Sequence, residues 1–528
     1  MSEYRNEIQK RRTFAIISHP DAGKTTITDK ILLLGGAIQE AGEVKGKEGS
    51  KAATSDWMKL EQQRGVSITS SVMQFDYRSL RVNLLDTPGH KDFGEDTYRT
   101  LMAADSAAML IDAAKGVEPQ TRKLYEVCRL RKLPIFTFAN KMDREGKSPL
   151  DLIDDVQNTL EMDCYPVTWP VGMGALFKGL YHRLEHKLLL YKKGESNPRI
   201  VQLEHWSDPK LKEEVGEDLY SDFIEEIELL EGAVTSFDRQ AFLEGKISPM
   251  TFGSAKFNWG VDVFLDLFSE HSPPPQGRPT MEGSAGPEDN FFSGFVFKIQ
   301  ANMDKRHRDR AAFIRVCSGK FERGMKVHHM RLGREIRLSY ANQFMAQDRE
   351  TVDTAYAGDI VGINDTGNFQ IGDSVTNSSR SVTFKDLPRF SPEIFGRISI
   401  RDALKRKQLE KGIQQLVDEG SIQLFADPGI GWQDPILGVV GVLQFEVLLF
   451  RLEDEYGVQA KLENLPYTLA RWPVDETGKR LSTLNGNIKT FRDREENPVV
   501  LLKGDWELAW AARENPKVNF KFTSLNDQ

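Results

Sequence analysis

The apolar run Thr13-Phe-Ala-Ile-Ile17 leads without interruption into Ser18-His-Pro-Asp-Ala-Gly-Lys-Thr25. A short apolar run bounded by a glycine-bearing loop reads as a buried strand, and the spacing predicts a helix from Thr25 to about Leu34. Such a strand, loop and helix belong to a mostly parallel sheet flanked by helices, because parallel neighbours require long crossovers. The loop is built to cradle phosphate. Backbone N–H groups of Ser18, His19, Asp21, Ala22 and Gly23 surround the anion in a loop that also holds Pro20, which has no N–H to give; Lys24 supplies charge, Thr25 offers a hydroxyl for Mg²⁺, and Thr26 continues the helix start. Ser18 replaces the first glycine of the general pattern, so the strand before it and the Gly23-Lys24-Thr25-Thr26 ending carry the assignment.

A second apolar run ends in Leu84-Leu-Asp-Thr-Pro-Gly-His90. Asp86 is placed to hold a Mg²⁺ shell, Thr87 and Pro88 complete the turn, and Gly89 lets the backbone swing towards a γ-phosphate. A third buried run, Pro134-Ile-Phe-Thr-Phe-Ala139, ends in Asn140, Lys141, Met142 and Asp143. A fixed carboxylate such as Asp143 accepts from N1–H and the exocyclic amine of guanine, and adenine offers neither donor there. A site built on such bonds rejects an analogue lacking them by roughly 10⁴-fold or more, so GTP and GDP are expected over ATP. Lys141 is expected to lay its stem along base and ribose, and the Gly253–Lys256 loop, through Ser254 and Ala255, to close over the carbonyl edge of the base.

In this order the motifs resemble the translational GTPase family. The stretch Asp56-Trp-Met-Lys-Leu-Glu-Gln-Gln-Arg-Gly-Val-Ser-Ile-Thr69 is similar to that family's first switch. The resemblance implies that Ser67, where relatives carry threonine, ligates Mg²⁺, with Thr69 as the alternative two residues on. It implies that His90 positions the attacking water, fenced by residues that correspond here to Pro20 and Val66. Arg64 is the candidate for a transition-state arginine supplied in cis.

The 528 residues predict three or four domains of about 150 residues each. The apolar runs are strand-length, well short of the roughly 20 residues a spanning helix needs, and the polar start is unlike a secretory signal. With only Cys128, Cys164 and Cys317, no disulfide framework or metal cluster is expected, and reduced thiols fit a cytoplasmic location. A net charge of −8 argues against simple wrapping of RNA. The basic stretch Lys305–Arg337, with Arg306, Arg308, Arg310, Arg315, Lys320, Arg323, Lys326, Arg331 and Arg334, reads either as a solvated face or as a contact to ribosomal RNA. A second basic cluster, Arg401–Lys411, reads as a solvated helix start.

The expected fold is α/β: a P-loop GTPase domain with a mostly parallel sheet and an inserted subdomain, then a β-barrel domain, then a C-terminal α/β domain. The boundaries read as 1–278 with an insert at about 160–250, 279–388 and 389–528. The insert carries the acidic helical segment Lys210–Glu231, read as a solvated helix or a surface for a basic ribosomal protein. A Pro/Gly/Ser-rich linker runs from His271 to Asp289, and Gly294–Gln300, Ala312–Cys317 and Gly358–Ile363 alternate like barrel strands. Beyond Pro392, Lys407–Glu419 and Leu443–Tyr456 read as helices and Ile436–Val442 as a strand.

With the sequence given ending at Gln528, the further arm with which elongation factor G moves transfer RNA is not expected. This layout, the insert and the switch variants resemble the class-II release factors of bacteria, in the elongation factor G-like branch. The resemblance implies a ribosome-stimulated GTPase that works with both ribosomal subunits near the factor-binding site and ejects class-I peptide chain release factors after peptide release. It implies a protein that is monomeric off the ribosome and has no membrane partner. No Gly-Gly-Gln tripeptide occurs, so cleavage of peptidyl-tRNA is not expected. In Asp143→Asn the amide donates where the carboxylate accepted, so preference should move from guanine towards xanthine nucleotides in a competition-binding assay, and unchanged guanine selectivity would remove Asp143 from base recognition.

Overall fold

The computed structural model describes residues 2–38, 61, 67–195, 197–233, 236–301, 310–339, 341–345, 348–385 and 390–523. Its first domain is a seven-stranded sheet. Strands β1 (Arg11–Ser18), β2 (Ser71–Tyr77), β3 (Leu80–Asp86), β4 (Ser106–Asp112), β5 (Ile135–Asn140), β6 (Asp163–Pro166) and a later strand, Ile247–Phe252, lie in the order β2-β3-β1-β4-β5, then Ile247–Phe252, then β6. All pairings are parallel except the edge pair β2–β3. In β1, Phe14 and Ile16 enter one apolar cluster with Ile27, Phe136 and Phe264, and Ala15 and Ile17 enter another with Met109, Leu124 and Leu152. The twofold alternation of side chains sends successive residues to opposite faces, and helices cover both. That is why this strand reads as a continuous apolar run.

The chain order reverses between β1 and β4, so the connections leaving their C-terminal ends diverge and open a crevice. Between β6 and Ile247–Phe252 an antiparallel meander, Thr168–Val171, Gly179–His182, Lys187–Leu190 and Arg199–Gln202, is followed by helices Pro209–Val215 and Glu217–Ala233. The acidic segment expected as one helix is two, broken at Gly216.

The stretch expected as a plain linker contains a short hairpin, Arg278–Thr280 with Gly283–Ala285, and the Arg278 side chain is buried. In the second domain, an eight-stranded antiparallel sheet starts at Ser293–Ala301 and packs around Val296, Ile314, Val316, Val361 and Val375. The third domain is an eight-stranded antiparallel sheet. Helices Arg406–Asp418 and Val442–Tyr456 cover one face through Leu416, Phe445 and Leu452. Phe395, Phe425, Trp472 and Phe491 form a second cluster. The strand expected over Ile436–Val442 is Gly431–Val439, and Val442 already opens the helix behind Gly441.

Part of the basic stretch departs furthest from expectation: Arg323, Lys326 and Arg334 are exposed, as a solvated face requires, but Arg310 and Arg315 are not. Arg315 is 1% exposed and faces the first domain, donating to Asp105, to Thr13 Oγ1 and to the Gly358 carbonyl at 2.6 Å. Arg310 pairs with Asp365 at 2.8 Å and with Asp418 of the third domain, and Arg331 pairs with Asp373 at 2.6 Å. These three arginines therefore tie the protein to itself. Lys305, Arg306 and Arg308 lie outside the described residues. Cys128, Cys164 and Cys317 are free and buried, and burial pushes the Cys317 thiol up to about 11. Asp105→Ala would leave the Arg315 cation buried without its carboxylate, so calorimetric unfolding should show a loss of about 3–5 kcal/mol, where a solvated pair would show almost none.

Candidate nucleotide site

The parallel strands deliver polar residues to one edge: β1 ends at Ser18, β3 at Asp86, β4 at Asp112, β5 at Asn140, and Ile247–Phe252 leads into Gly253 and Ser254. Between Ser18 and the helix Lys24–Leu34 the loop turns through Gly23, whose φ of 99° favours glycine. A Cβ there would lie 2.3 Å from Asn140 Nδ2. Ala22 and Lys24 are buried, Thr25 and Thr26 half-buried in the first helical turn, and Asp21 exposed. The helix N-terminus adds its partial positive charge to the loop.

Lys24 Nζ donates to Asp86 Oδ1 at 2.6 Å and to Ser67 Oγ at 3.2 Å, and Thr28 Oγ1 donates to the same Asp86 oxygen at 3.2 Å. Two of the three residues expected to share a metal, Ser67 and Asp86, thus converge on one cation. The fallback, Thr69, is engaged elsewhere: its backbone N–H donates to Glu61 Oε1 at 3.1 Å, beside that of Ile68 at 2.9 Å, and its hydroxyl lies 3.4 Å from the same oxygen. Of the two hydroxyls, Ser67 is the one beside Lys24 and Asp86.

Thr87 Oγ1 donates to the Ile16 carbonyl at 2.6 Å, and Thr97 Oγ1 donates to the Pro88 carbonyl at 3.1 Å. A Cβ on Gly89 would be 3.5 Å from Pro20, so the two motifs abut there. His90 follows in extended conformation and opens the 3₁₀ turn Lys91–Phe93, its Nδ1 accepting from the Asp92 N–H at 3.2 Å. Arg64 and Val66 lie outside the described residues.

Asn140 clamps the two halves of the site. Its Nδ2 donates to the Ala22 carbonyl at 2.8 Å, and its Oδ1 accepts from the Ala255 N–H at 2.8 Å and the Lys141 N–H at 2.9 Å. Asp143 Oδ1 accepts from Ser254 Oγ at 2.5 Å, and the Met142 N–H donates to the Gly253 carbonyl at 3.0 Å. Lys141 Nζ reaches the Asp21 carbonyl at 2.6 Å and Asp112 Oδ2 at 2.7 Å. Sequence reasoning missed Thr28, Glu61, Asp112 and Glu118, the last lying 3.4 Å from His19 Nε2. Asp112 carried a readable signal, since it closes an apolar strand as Asp86 and Asn140 do.

Residues 9–274 match the family model described as "Elongation factor Tu GTP binding domain", and residues 291–378 match "Elongation factor G domain 2". A crystal structure of a protein from Thermus thermophilus superposes with a TM-score of 0.70 over 92% of this chain and 72% of its own, at 24% identity, which bears on the fold alone. A translational GTPase is the class that this fold and this clamp define. Residues 384–512 match "Class II release factor RF3, C-terminal domain". Proteins named peptide chain release factor 3 from Symbiobacterium thermophilum and Listeria welshimeri are each 50% identical over 527 residues, covering 99% of this chain and 99% of theirs. The chain belongs to the peptide chain release factor 3 family, guanine-nucleotide-binding GTPases of translation termination. Among the described residues no helix is long and apolar enough to cross a membrane.

Asn140→Ala would leave the buried Ala255 N–H and Ala22 carbonyl without partners, at about 1–3 kcal/mol for each group. Thermal unfolding should move down and guanine-nucleotide affinity should fall with it, and a variant that keeps both would show that the clamp is dispensable.

Proposed function

We propose that this GTPase, bound to the ribosome after peptide release, uses its GTP-bound form to dissociate the class-I release factor and then hydrolyses GTP to leave. The observation that carries the chemistry is the convergence of Lys24, Asp86 and Ser67 beneath a glycine loop clamped by Asn140. The loop from Ser18 to Thr26 wraps the phosphates, Asn140 to Asp143 with Ser254 and Ala255 reads guanine, and Asp86 to His90 forms the second switch.

Hard oxygen donors suit Mg²⁺, and here a carboxylate and a serine hydroxyl already face one ammonium cation, so Ser67 and Asp86 fit a magnesium shell, to which the motif adds the hydroxyl of Thr25. When bound, that ion offsets the charge of the phosphate oxygens. Lys24 then turns from Asp86 and Ser67 to the phosphates. Ser67 and the backbone after it report the γ-phosphate, with Ile68 and Thr69 steadied by Glu61.

His90 aligns the attacking water in this reading. Phosphoryl transfer rests on positioning and charge stabilisation more than on a strong base, so a histidine is adequate to the task. Arg64 is the candidate for added charge stabilisation. The ribosome orders these groups, which makes turnover slow without it. The protein works in the cytoplasm, with both ribosomal subunits as its platform, and is a monomer when free.

Labelled class-I release factor on post-termination ribosomes provides the test. Dissociation should accelerate with this protein and GTP or a non-hydrolysable analogue, and not with GDP. Ribosome-stimulated hydrolysis without acceleration would point instead to a translocase-like or rescue role. His90→Ala should bind GTP nearly as the parent does yet lose ribosome-stimulated turnover, by about the 10²- to 10⁴-fold typical of a lost positioning or acid–base group.

A further inference from the structure

The turn that carries His90 is also where the third domain meets the switch. Asp92 is 5% exposed, and its two carboxylate oxygens look in different directions. Oδ1 lies 3.3 Å from His90 Nδ1, beside the Asp92 amide that donates to the same nitrogen. Oδ2 accepts from the Leu443 N–H at 2.9 Å, in the first turn of the third-domain helix Val442–Tyr456. A carboxylate there satisfies an N–H that the helix leaves unpaired and faces the positive end of its dipole.

The approach is close enough to require glycine at the helix cap: a Cβ on Gly441 would lie 1.9 Å from Asp92 Cγ. The next residue, Phe93, is buried with Ile68 of the first switch and Val447 of the same third-domain helix, flanked by Leu443 and Phe450. Both residues that hold the His90 turn therefore have partners on one third-domain helix.

We infer that Asp92 is a positioning residue that couples the orientation of His90 to docking of the third domain. The inference rests on the proposed role of His90. With Val442–Tyr456 seated, Asp92 and Phe93 hold the turn, and the imidazole stays on the Asp92 amide. When the third domain moves away, Oδ2 loses the Leu443 N–H, Phe93 loses Val447, and the turn is released to carry His90 to the γ-phosphate. The docked third domain is then a brake on hydrolysis, and a partner that displaces it removes the brake.

The test is single-turnover GTP hydrolysis by the full chain without ribosomes, with GTP affinity measured in parallel. Gly441→Ala drives a methyl group into Asp92, and Val447→Asp places a charge in the Ile68–Phe93 cluster. Each should raise the hydrolysis rate roughly tenfold, one 1.36 kcal/mol step in barrier, with GTP affinity unchanged. Asp92→Ala should show the same gain and Asp92→Asn should not, since its amide oxygen still accepts from Leu443. A purely structural role for Asp92 would lower affinity and rate together in both. Adding His90→Ala to Gly441→Ala should abolish the gain. A gain that survives shows the third domain acting through another group and overturns the inference, and the His90→Ala single variant on ribosomes judges the role of His90 separately. No gain in either Gly441→Ala or Val447→Asp also overturns it.

Discussion

The carboxylate of Asp105 fixes the geometry on which the rest of the molecule depends. It sits just beyond the helix Gly94–Ala103 and receives Arg278 from the interdomain hairpin and Arg315 from the barrel. Arg278 also donates to the Ala104 carbonyl at 3.0 Å and to that of Met102, so its charge meets the negative end of the helix dipole. Burial, and then the nearby Arg278, bring Arg131 down to about 9. Such a pair adds little net stability over apolar packing, and it strongly disfavours any arrangement that leaves one charge unpaired. The barrel is held to the GTPase domain in one orientation, reinforced by Arg11 with Asp359 at 3.1 Å and by Thr13 with the Gly358 carbonyl at 2.8 Å.

The same helix joins that fixed junction to the switch. Gly94 begins where the His90 turn ends, and Ala103 ends beside Asp105. Along its length Arg99 pairs with Glu95 and donates to the Gly420 carbonyl of the third domain at 3.2 Å. Lys298 of the barrel donates to the Ser70 carbonyl behind the first switch, its pKa pulled down by burial despite Asp96, Glu61 and Glu419 nearby. All three domains thus close on the residues between Ser67 and Arg99.

Much of the site was legible from residue order. Strands covered on both faces appear as unbroken apolar runs, and each proposed nucleotide motif follows one, so the placing of Ser18–Thr26, Asp86–His90 and Asn140–Asp143 at strand ends could be read without coordinates. Arg315 and Arg278 could not. A long charged side chain reads as solvated unless its partner is known, and Asp105 lies 210 residues from Arg315 along the chain. Between Ser67 and its alternative Thr69 the sequence preferred Ser67 by resemblance alone; in the fold the Ser67 hydroxyl lies beside Lys24, whereas Thr69 meets Glu61.

By itself the sequence determined the family and the candidate motifs: residue types at fixed local spacing mark the proposed phosphate loop, guanine reader and switch, since each is assembled from neighbours in the chain. What only the tertiary structure decided is where those parts point and what restrains them. The clamp of Asn140 on Ala22 and Ala255, the hold of Asp105 on two distant arginines, and the reach of Asp92 to a helix 351 residues away are long-range pairings. They become favourable only when the chain has closed around them and removed the water that would otherwise satisfy the same groups.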